Sequence, residues 1–310
     1  MRLCDLHCDT LTELDNRGGD FAENDLQISL RRAAAFDSYV QVLAVWCDKE
    51  LSDEASFERF CRIADSFRAW AAGRNDFVLC RTGSEVNAAV CAGKRAAVLA
   101  VEDARLLAGH IERLDVLREK GVRFLTLQWA GETATGGAWN THCGLTDFGR
   151  AVVRRCFEIG IVPDLSHASR EVTDEVLSMA EEHGLPVVCT HSDSYALNPN
   201  GRNITDETYR RIAALGGIVG VCLCPGHLSE TASASSGDAA AHMLRGLTIA
   251  PDAVALGCDF DGIGDDTPVD LPDVSALPLL HEKVREAVGD ELADKAFFGN
   301  AFRFLTTYLR

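Results

Sequence analysis

Residues 161–191 read IVPDLSHASREVTDEVLSMAEEHGLPVVCTH: an apolar run at 161–165, an amphipathic stretch opened by Ser169, and a second apolar run at 186–190. Ser169 suits the N-cap of a helix that runs to about Glu182, so the stretch predicts strand, crossover helix and parallel strand. Each apolar run is followed within two residues by a histidine, His167 and His191.

The same alternation extends outward in both directions. Apolar runs at 3–7, 39–46, 96–101, 122–127, 218–222 and 253–257 bring the number to eight. Eight strand–helix units are what a closed barrel requires, so the expected fold is α/β, a (β/α)8 TIM barrel. With 310 residues, 47% of them hydrophobic, the chain can bury one full core. It carries no internal repeat and no linker-like stretch, so residues 1–310 are read as a single domain. Phe60, Ile63, Ala64, Phe67 and Trp70 make one apolar stripe along a helix at 57–72, and Val152, Val153, Cys156 and Phe157 do so at 148–159. Two stretches exceed ordinary connections: 131–144, rich in Gly, Thr and Asn, and 225–251, which includes the small-residue run 231–237. Both are expected to be loops and candidate lids.

Composition excludes several classes of partner. With 47 acidic and 30 basic residues the net charge is -17, which opposes attraction to phosphate backbones or anionic lipid, so neither nucleic acid nor membrane is an expected partner. The N-terminus has no charged region followed by an apolar run, and no stretch reaches about 18 uninterrupted apolar residues. A soluble, cytoplasmic protein is the resulting expectation. The 12 cysteines are scattered through apolar runs and read as buried thiols. The pairs Cys222/Cys224 and Cys4/Cys8 lack the spacing of a structural zinc site.

The informative pattern is where histidines and acids fall relative to the strand ends. In a (β/α)8 barrel the carboxyl ends of all strands converge on one mouth, however distant in sequence. Five runs end in candidate ligands: the first in His7 and Asp9, the third in Glu102, the fifth in His167, the sixth in His191 and the eighth in Asp259. His7 and Asp9, two residues apart, point the same way if strand geometry persists to Asp9. Three imidazoles with two or three carboxylates suit zinc, with manganese or iron compatible. Two ions fit this inventory better than one, with Glu102 the natural bridge, because a bridging carboxylate holds two ions about 3.5–4 Å apart around a shared water. His110, His142, His183, His227, His242 and His281 fall in expected helices or loops and are assigned no role, although His142 lies in a candidate lid.

These residues resemble the membrane or renal dipeptidases, a branch of the amidohydrolase-like metal enzymes. The likeness runs over nearly the whole chain, in order: Asp5-Leu6-His7-Cys8-Asp9-Thr10, Val101-Glu102, Gly144-Leu145-Thr146-Asp147-Phe148-Gly149-Arg150 followed by Val162-Pro163-Asp164-Leu165-Ser166-His167, then Pro186-Val187-Val188-Cys189-Thr190-His191-Ser192, Arg202-Asn203, Cys258-Asp259-Phe260-Asp261-Gly262 and Gly299-Asn300-Ala301-Phe302-Arg303. The resemblance implies a binuclear zinc dipeptidase, active on L–L dipeptides through a metal-bridging hydroxide, with activity on L–D dipeptides left open. His7, Asp9 and Glu102 would hold one zinc, and Glu102, His167 and His191 the other. Asp259 would be the acid/base, Arg202 would clamp the substrate's terminal carboxylate, and Asn203 would share the substrate loop. The family also implies a homodimer.

One departure stands out: Trp129 occupies the place of a family histidine. An indole N–H donates one neutral hydrogen bond and cannot titrate, so Trp129 is either a neutral substrate contact or an aromatic wall of the pocket. Two alternatives stay open. A related metal barrel could act on a cyclic amide, an N-acyl amino acid or another small substrate, which the direction of Arg202 would discriminate. A barrel that binds metal without catalysis is the other, against which the retained Asp259 argues.

Overall fold

Alternating small and branched apolar residues build nine parallel strands: β1 (Arg2–Asp5), β2 (Ser38–Trp46), β3 (Phe77–Cys80), β4 (Arg95–Glu102), β5 (Val122–Thr126), β6 (Val162–Asp164), β7 (Val188–Cys189), β8 (Ile218–Val221) and β9 (Val254–Leu256). The computed structural model describes residues 1–230, 233–264 and 266–310. Eight of the strands close on themselves. β1 pairs with β2 from Arg2↔Ser38 to Asp5↔Gln41 and with β9 at Asp5↔Leu256, while β2 pairs with β4 from Val40↔Ala96 to Trp46↔Glu102. The remaining strands follow in order to β9, giving the expected (β/α)8 barrel.

β3 is an addition to the eight expected strands. It pairs with the first half of β4, from Phe77↔Arg95 to Cys80↔Val98, and β5 takes over the same edge from Leu99 onward. Four residues long and half-exposed at its centre, it offers almost no periodic signal.

Inside the barrel Val40, Val42, Ala44, Ala96, Val98, Ala100, Phe124, Val162, Val188, Ile218 and Ala255 pack together with Phe298, Phe304 and Leu305 from the C-terminal segment. Small residues on β2 and β4 leave room for the fully buried Phe124 and Phe304, which stack at 6.2 Å between centroids. Burying each such side chain stabilises the fold by about 1.5–3 kcal/mol. Arg2, the first residue of β1, lies over the Phe298 ring at 4.4 Å, which sets the C-terminal segment at the end of the barrel where the strands begin. The opposite end is left for chemistry.

The outer helices form for local reasons. Ser52, Thr146 and Ser169 accept backbone N–H bonds from Ala55, Gly149 and Val172, starting the helices Asp53–Ala72, Asp147–Ile159 and Arg170–His183. One expectation is corrected here: 225–251 is not a loop but holds the helices Pro225–Leu228 and Ser236–Ile249. Ser235 and Asp238 form a capping box, and Ala239, Ala240 and Gly246 are small because that face is packed, so composition that reads as loop is helix. Within the run 231–237, residues 231 and 232 lie outside the described residues. The stretch 131–144 is irregular, as expected, but it is fastened to the barrel mouth by Trp139 N–H donating to the His167 carbonyl at 2.7 Å and by a bridge between Ala138 and Ala168.

Gly257 lets the last strand approach the mouth. A Cβ there would lie 1.6 Å from the Thr190 carbonyl oxygen and 2.7 Å from its carbon, both backbone atoms. Gly257→Ala is therefore expected to cost at least about 3 kcal/mol and to lower the melting temperature by roughly 5–10 °C. Calorimetry checks this against Gly226→Ala, where a Cβ meets nothing within 4 Å.

Candidate active site

The alternation that fills the barrel continues into polar side chains at its mouth. Glu102 follows Ala96, Val98 and Ala100 on the inward face of β4, and Asp259 follows Ala255 and Gly257 after β9. On the first strand the alternation shifts: Leu6 packs in the barrel interior but Cys8, two residues on, packs in the outer layer. Regular strand ends at Asp5, and the shift turns both His7 and Asp9 to the mouth. Backbone bonds from Asp9 N–H to the Phe260 carbonyl (3.0 Å) and from Asp259 N–H to the His7 carbonyl (3.1 Å) lock this segment to the one after β9.

The structure brings His7, Asp9, Glu102, His167, His191 and Asp259 together, all buried to within 9% exposure. His7 Nε2 lies 3.5 Å from Asp9 Oδ2, 3.5 Å from Glu102 Oε2 and 3.8 Å from Asp259 Oδ1. The other oxygen of Glu102, Oε1, lies 2.8 Å from His167 Nε2 and 3.6 Å from His191 Nε2. Glu102 thus offers one oxygen to each of two ligand groups, His7–Asp9–Glu102 and Glu102–His167–His191. His7 and His191, one from each group, also form a third candidate set with Asp259.

A second layer of polar groups sets the imidazole tautomers. His167 Nδ1 donates to the Trp129 carbonyl at 2.9 Å, leaving its Nε2 lone pair toward Glu102 and His191. Asp164 accepts from Ser166 Oγ (2.9 Å), Thr190 N (2.9 Å), Thr126 Oγ1 (2.7 Å) and Thr190 Oγ1 (2.6 Å). With its proton committed to Asp164, Thr190 Oγ1 accepts from His191 Nδ1 at 2.9 Å, and His7 Nδ1 approaches it at 3.3 Å. Sequence reasoning missed Asp164 and Thr190 as functional residues. The available signal was a buried acid and a buried hydroxyl at inward-facing positions of apolar runs.

The electrostatics fit a cation site. Burial opposes charge on His7, yet Asp9 and Glu102 outweigh it and hold its pKa well above the imidazole range. Burial likewise opposes charge on Glu102, but His167, His191 and His7 hold its pKa well below the carboxylate range. Burial and Glu102 push Asp9 up to about 6; burial, with His7 next, pushes His191 well down. Burial is also the main reason Asp259 sits well above the carboxylate range. Acids this close to His7 favour positive charge at the cluster, a charge that bound cations would supply. His7 Nε2 and Asp9 Oδ1 have no hydrogen-bond partner, and His167 Nε2 faces His191 Nε2 at 2.9 Å. Inward lone pairs without donors are what divalent ions satisfy, so the donor set fits zinc.

Backbone strain marks the same place. His167 and Asp259 have positive φ, 67° and 62°, a conformation costing about 1–2 kcal/mol outside glycine. Gly262 has the converse role: a Cβ there would lie 2.3 Å from Asp9 Oδ2 and 2.5 Å from Asp259 Oδ1, so only glycine leaves both carboxylates in place.

Arg202 is 5% exposed, and its Nη2 donates to the His191 carbonyl at 3.4 Å. Arg202 lines one cavity with His167, Ala168 and Asn203, and, after burial, its charge helps hold the His167 pKa down. Asn203 spends its amide hydrogens on the Asn198 and His227 carbonyls (2.9 and 2.8 Å), leaving the buried Oδ1 free. Trp129 is half-buried, tilted against Trp46 at 5.2 Å and against His167 at 6.2 Å, and forms a wall beside the ligand groups. Among the histidines assigned no role, His142 is 99% exposed. His242 is buried and braces a loop, accepting from Ser194 N–H at 3.0 Å and donating to the Leu228 carbonyl at 2.9 Å.

Comparison with known proteins shows the family. The family model for membrane dipeptidase, peptidase family M19, matches residues 1–308. Dipeptidase aclJ of Aspergillus oryzae is 31% identical over 221 residues, and dipeptidase tcpJ of Claviceps purpurea is 30% identical over 221 residues; each match covers 69% of this chain and 51% of the relative. The chain spans about half the length of these curated relatives. Two crystal structures superpose with TM-scores of 0.90 at 24% identity. One is the dipeptidase AC, a metallopeptidase of family M19, covering 100% of this chain and 99% of the other. The other is a metallopeptidase from Rhodobacter sphaeroides liganded with a phosphinate mimic of the dipeptide L-Ala-D-Ala, covering 99% of each chain.

Proposed function

The chain belongs to the membrane dipeptidase family, peptidase family M19, and on that premise we propose that it hydrolyses the amide bond of dipeptides at a centre of two zinc ions. His7, Asp9 and Glu102 would hold one ion and Glu102, His167 and His191 the other. When bound, the ions would supply Lewis-acid charge at the scissile carbonyl and lower the pKa of the attacking water. Asp259 takes the proton from the attacking water and returns it to the leaving amine, a role its buried position beside His7 supports. Trp129 and Trp46 exclude bulk water from one side.

The observation that carries the substrate class is Arg202. It is a buried guanidinium that makes no ion pair within 4.0 Å among the described residues, its side chain donating to a backbone carbonyl at 3.4 Å. A buried cation without a contacting anion is costly unless a ligand brings one, and a free α-carboxylate does. That favours dipeptides or N-acyl amino acids over neutral cyclic amides. The phosphinate mimic of L-Ala-D-Ala on the Rhodobacter sphaeroides relative supports including L–D dipeptides. All 12 cysteines are free thiols, which supports a reducing compartment, the cytoplasm. Among the described residues no helix is long and apolar enough to cross a membrane.

A screen of L–L and L–D dipeptides and N-acyl amino acids, on protein stripped of metal and resupplied with zinc, tests the proposal. Zinc-dependent release of free amino acids from dipeptides is the expected result; hydrolysis of neutral cyclic amides alone would sink it. Arg202→Met is expected to lose about 2–3 kcal/mol of binding, roughly 30- to 150-fold in kcat/KM, seen mainly in KM. Carboxamide-capped dipeptides, which lack the anion, should be equally poor substrates for both proteins.

A further inference from the structure

Beside the centre just described lies a second cluster that shares none of its five proposed metal ligands. One ligand atom each of Asp193, Cys222 and His227 falls within 4.8 Å of the other two. Asp193 is 1% exposed and neither of its carboxylate oxygens has a hydrogen-bond partner; Cys222 is fully buried; His227 Nδ1 is buried without a partner. Cys222 Sγ accepts from Cys224 N–H at 3.4 Å and donates to Asp259 Oδ2 at 3.6 Å, but the Asp193 carboxylate and His227 Nδ1 beside it keep unused lone pairs, which call for a shared partner.

Their chemistry says which kind. One carboxylate oxygen, one thiolate sulfur and one imidazole nitrogen form a borderline-soft set, suited to a tetrahedral zinc-like ion with its fourth position open to water. The five ligands of the neighbouring centre are all nitrogen and oxygen. His242 Nδ1 is 3.9 Å from Asp193 Oδ1, but it already accepts from Ser194 N–H and has no lone pair to spare. The ligands are held from behind. Asp193 and Cys222 follow the ends of β7 and β8, and the Asp193 carbonyl accepts from Ile204 N–H at 2.9 Å. His227 sits on the short helix Pro225–Leu228, with its carbonyl accepting from both Asn198 and Asn203. A carboxylate and a thiolate together neutralise a dication, so nearby Arg202 does not forbid one.

We infer that Asp193, Cys222 and His227 form a third metal site, for a thiophilic divalent ion such as zinc, at the same mouth of the barrel. Binding releases the Cys222 proton to solvent as the thiolate forms the metal–sulfur bond. The site adjoins the proposed acid/base, since Cys222 Sγ lies 3.6 Å from Asp259 Oδ2.

Cobalt(II) chloride, added to the full chain after chelation, is the probe. A thiolate–cobalt charge-transfer band in the near ultraviolet is expected, because a centre of nitrogen and oxygen ligands alone cannot produce one. Metal content should fall by one equivalent per chain in Cys222→Ser and in His227→Asn, with the band gone and visible cobalt absorption from the other centre retained. Circular dichroism checks folding, and Asp193→Asn gives an independent third arm. Absence of the band at saturating cobalt, or its persistence in Cys222→Ser, overturns the inference. The band without dipeptide turnover would leave the third site standing and refute the proposed function; turnover without the band would do the reverse.

Discussion

Glu102→Gln is expected to abolish dipeptide turnover, by at least about 10⁴-fold in kcat/KM, and to lower bound zinc by at least one equivalent. The reason is geometric. Oε2 faces His7 at 3.5 Å while Oε1 faces His167 at 2.8 Å, so one side chain serves both ligand groups. A carboxamide supplies one weak oxygen ligand and donates N–H to an imidazole lone pair that would otherwise bind an ion. Elemental analysis of the purified variant, beside a steady-state assay, measures both effects. Retention of both ions and near-normal turnover would show that Glu102 is not the bridge.

Asp259→Asn is expected to leave metal content unchanged and to lower kcat by about 10³–10⁴-fold, the upper part of the range for general acid–base catalysis. The amide keeps the shape of the side chain but cannot carry a proton between water and the leaving amine. Asp259 also lies near His7 and His191 in a geometry able to ligate, so the measurement separates two roles. Loss of an ion would assign it as a ligand; loss of kcat with both ions retained would assign it as the acid/base. Its positive φ of 62° is shared by asparagine, which tolerates that conformation better than most residues, so folding should survive.

The repeating strand and helix periods were legible because they are local: apolar residues at alternate positions, and Ser169 set to cap a helix, state their structure within a few residues. β3 was not legible, since four residues paired with half of one neighbour carry too little pattern. The helix Ser236–Ile249 was hidden by small residues that its packing demands. At the mouth, His7, Asp9, Glu102, His167, His191 and Asp259 could be singled out because each ends or follows an apolar run. Asp164 and Thr190 could not be assigned their part, in which Asp164 fixes the Thr190 hydroxyl and Thr190 meets the neighbouring His191 and, from the first strand end, His7.

By itself the sequence determined the barrel, the strand ends that carry candidate metal ligands and the nitrogen and oxygen donors among them, because periodicity and donor chemistry are properties of short segments. Only the tertiary structure decided that the two oxygens of Glu102 face different histidines, that Arg202 is buried with no ion pair among the described residues, and that His227, dismissed as a loop residue, meets Asp193 and Cys222. Those facts depend on barrel closure and on the shift in alternation at His7, which place side chains from distant positions within a few ångströms of one another. No short segment contains that information.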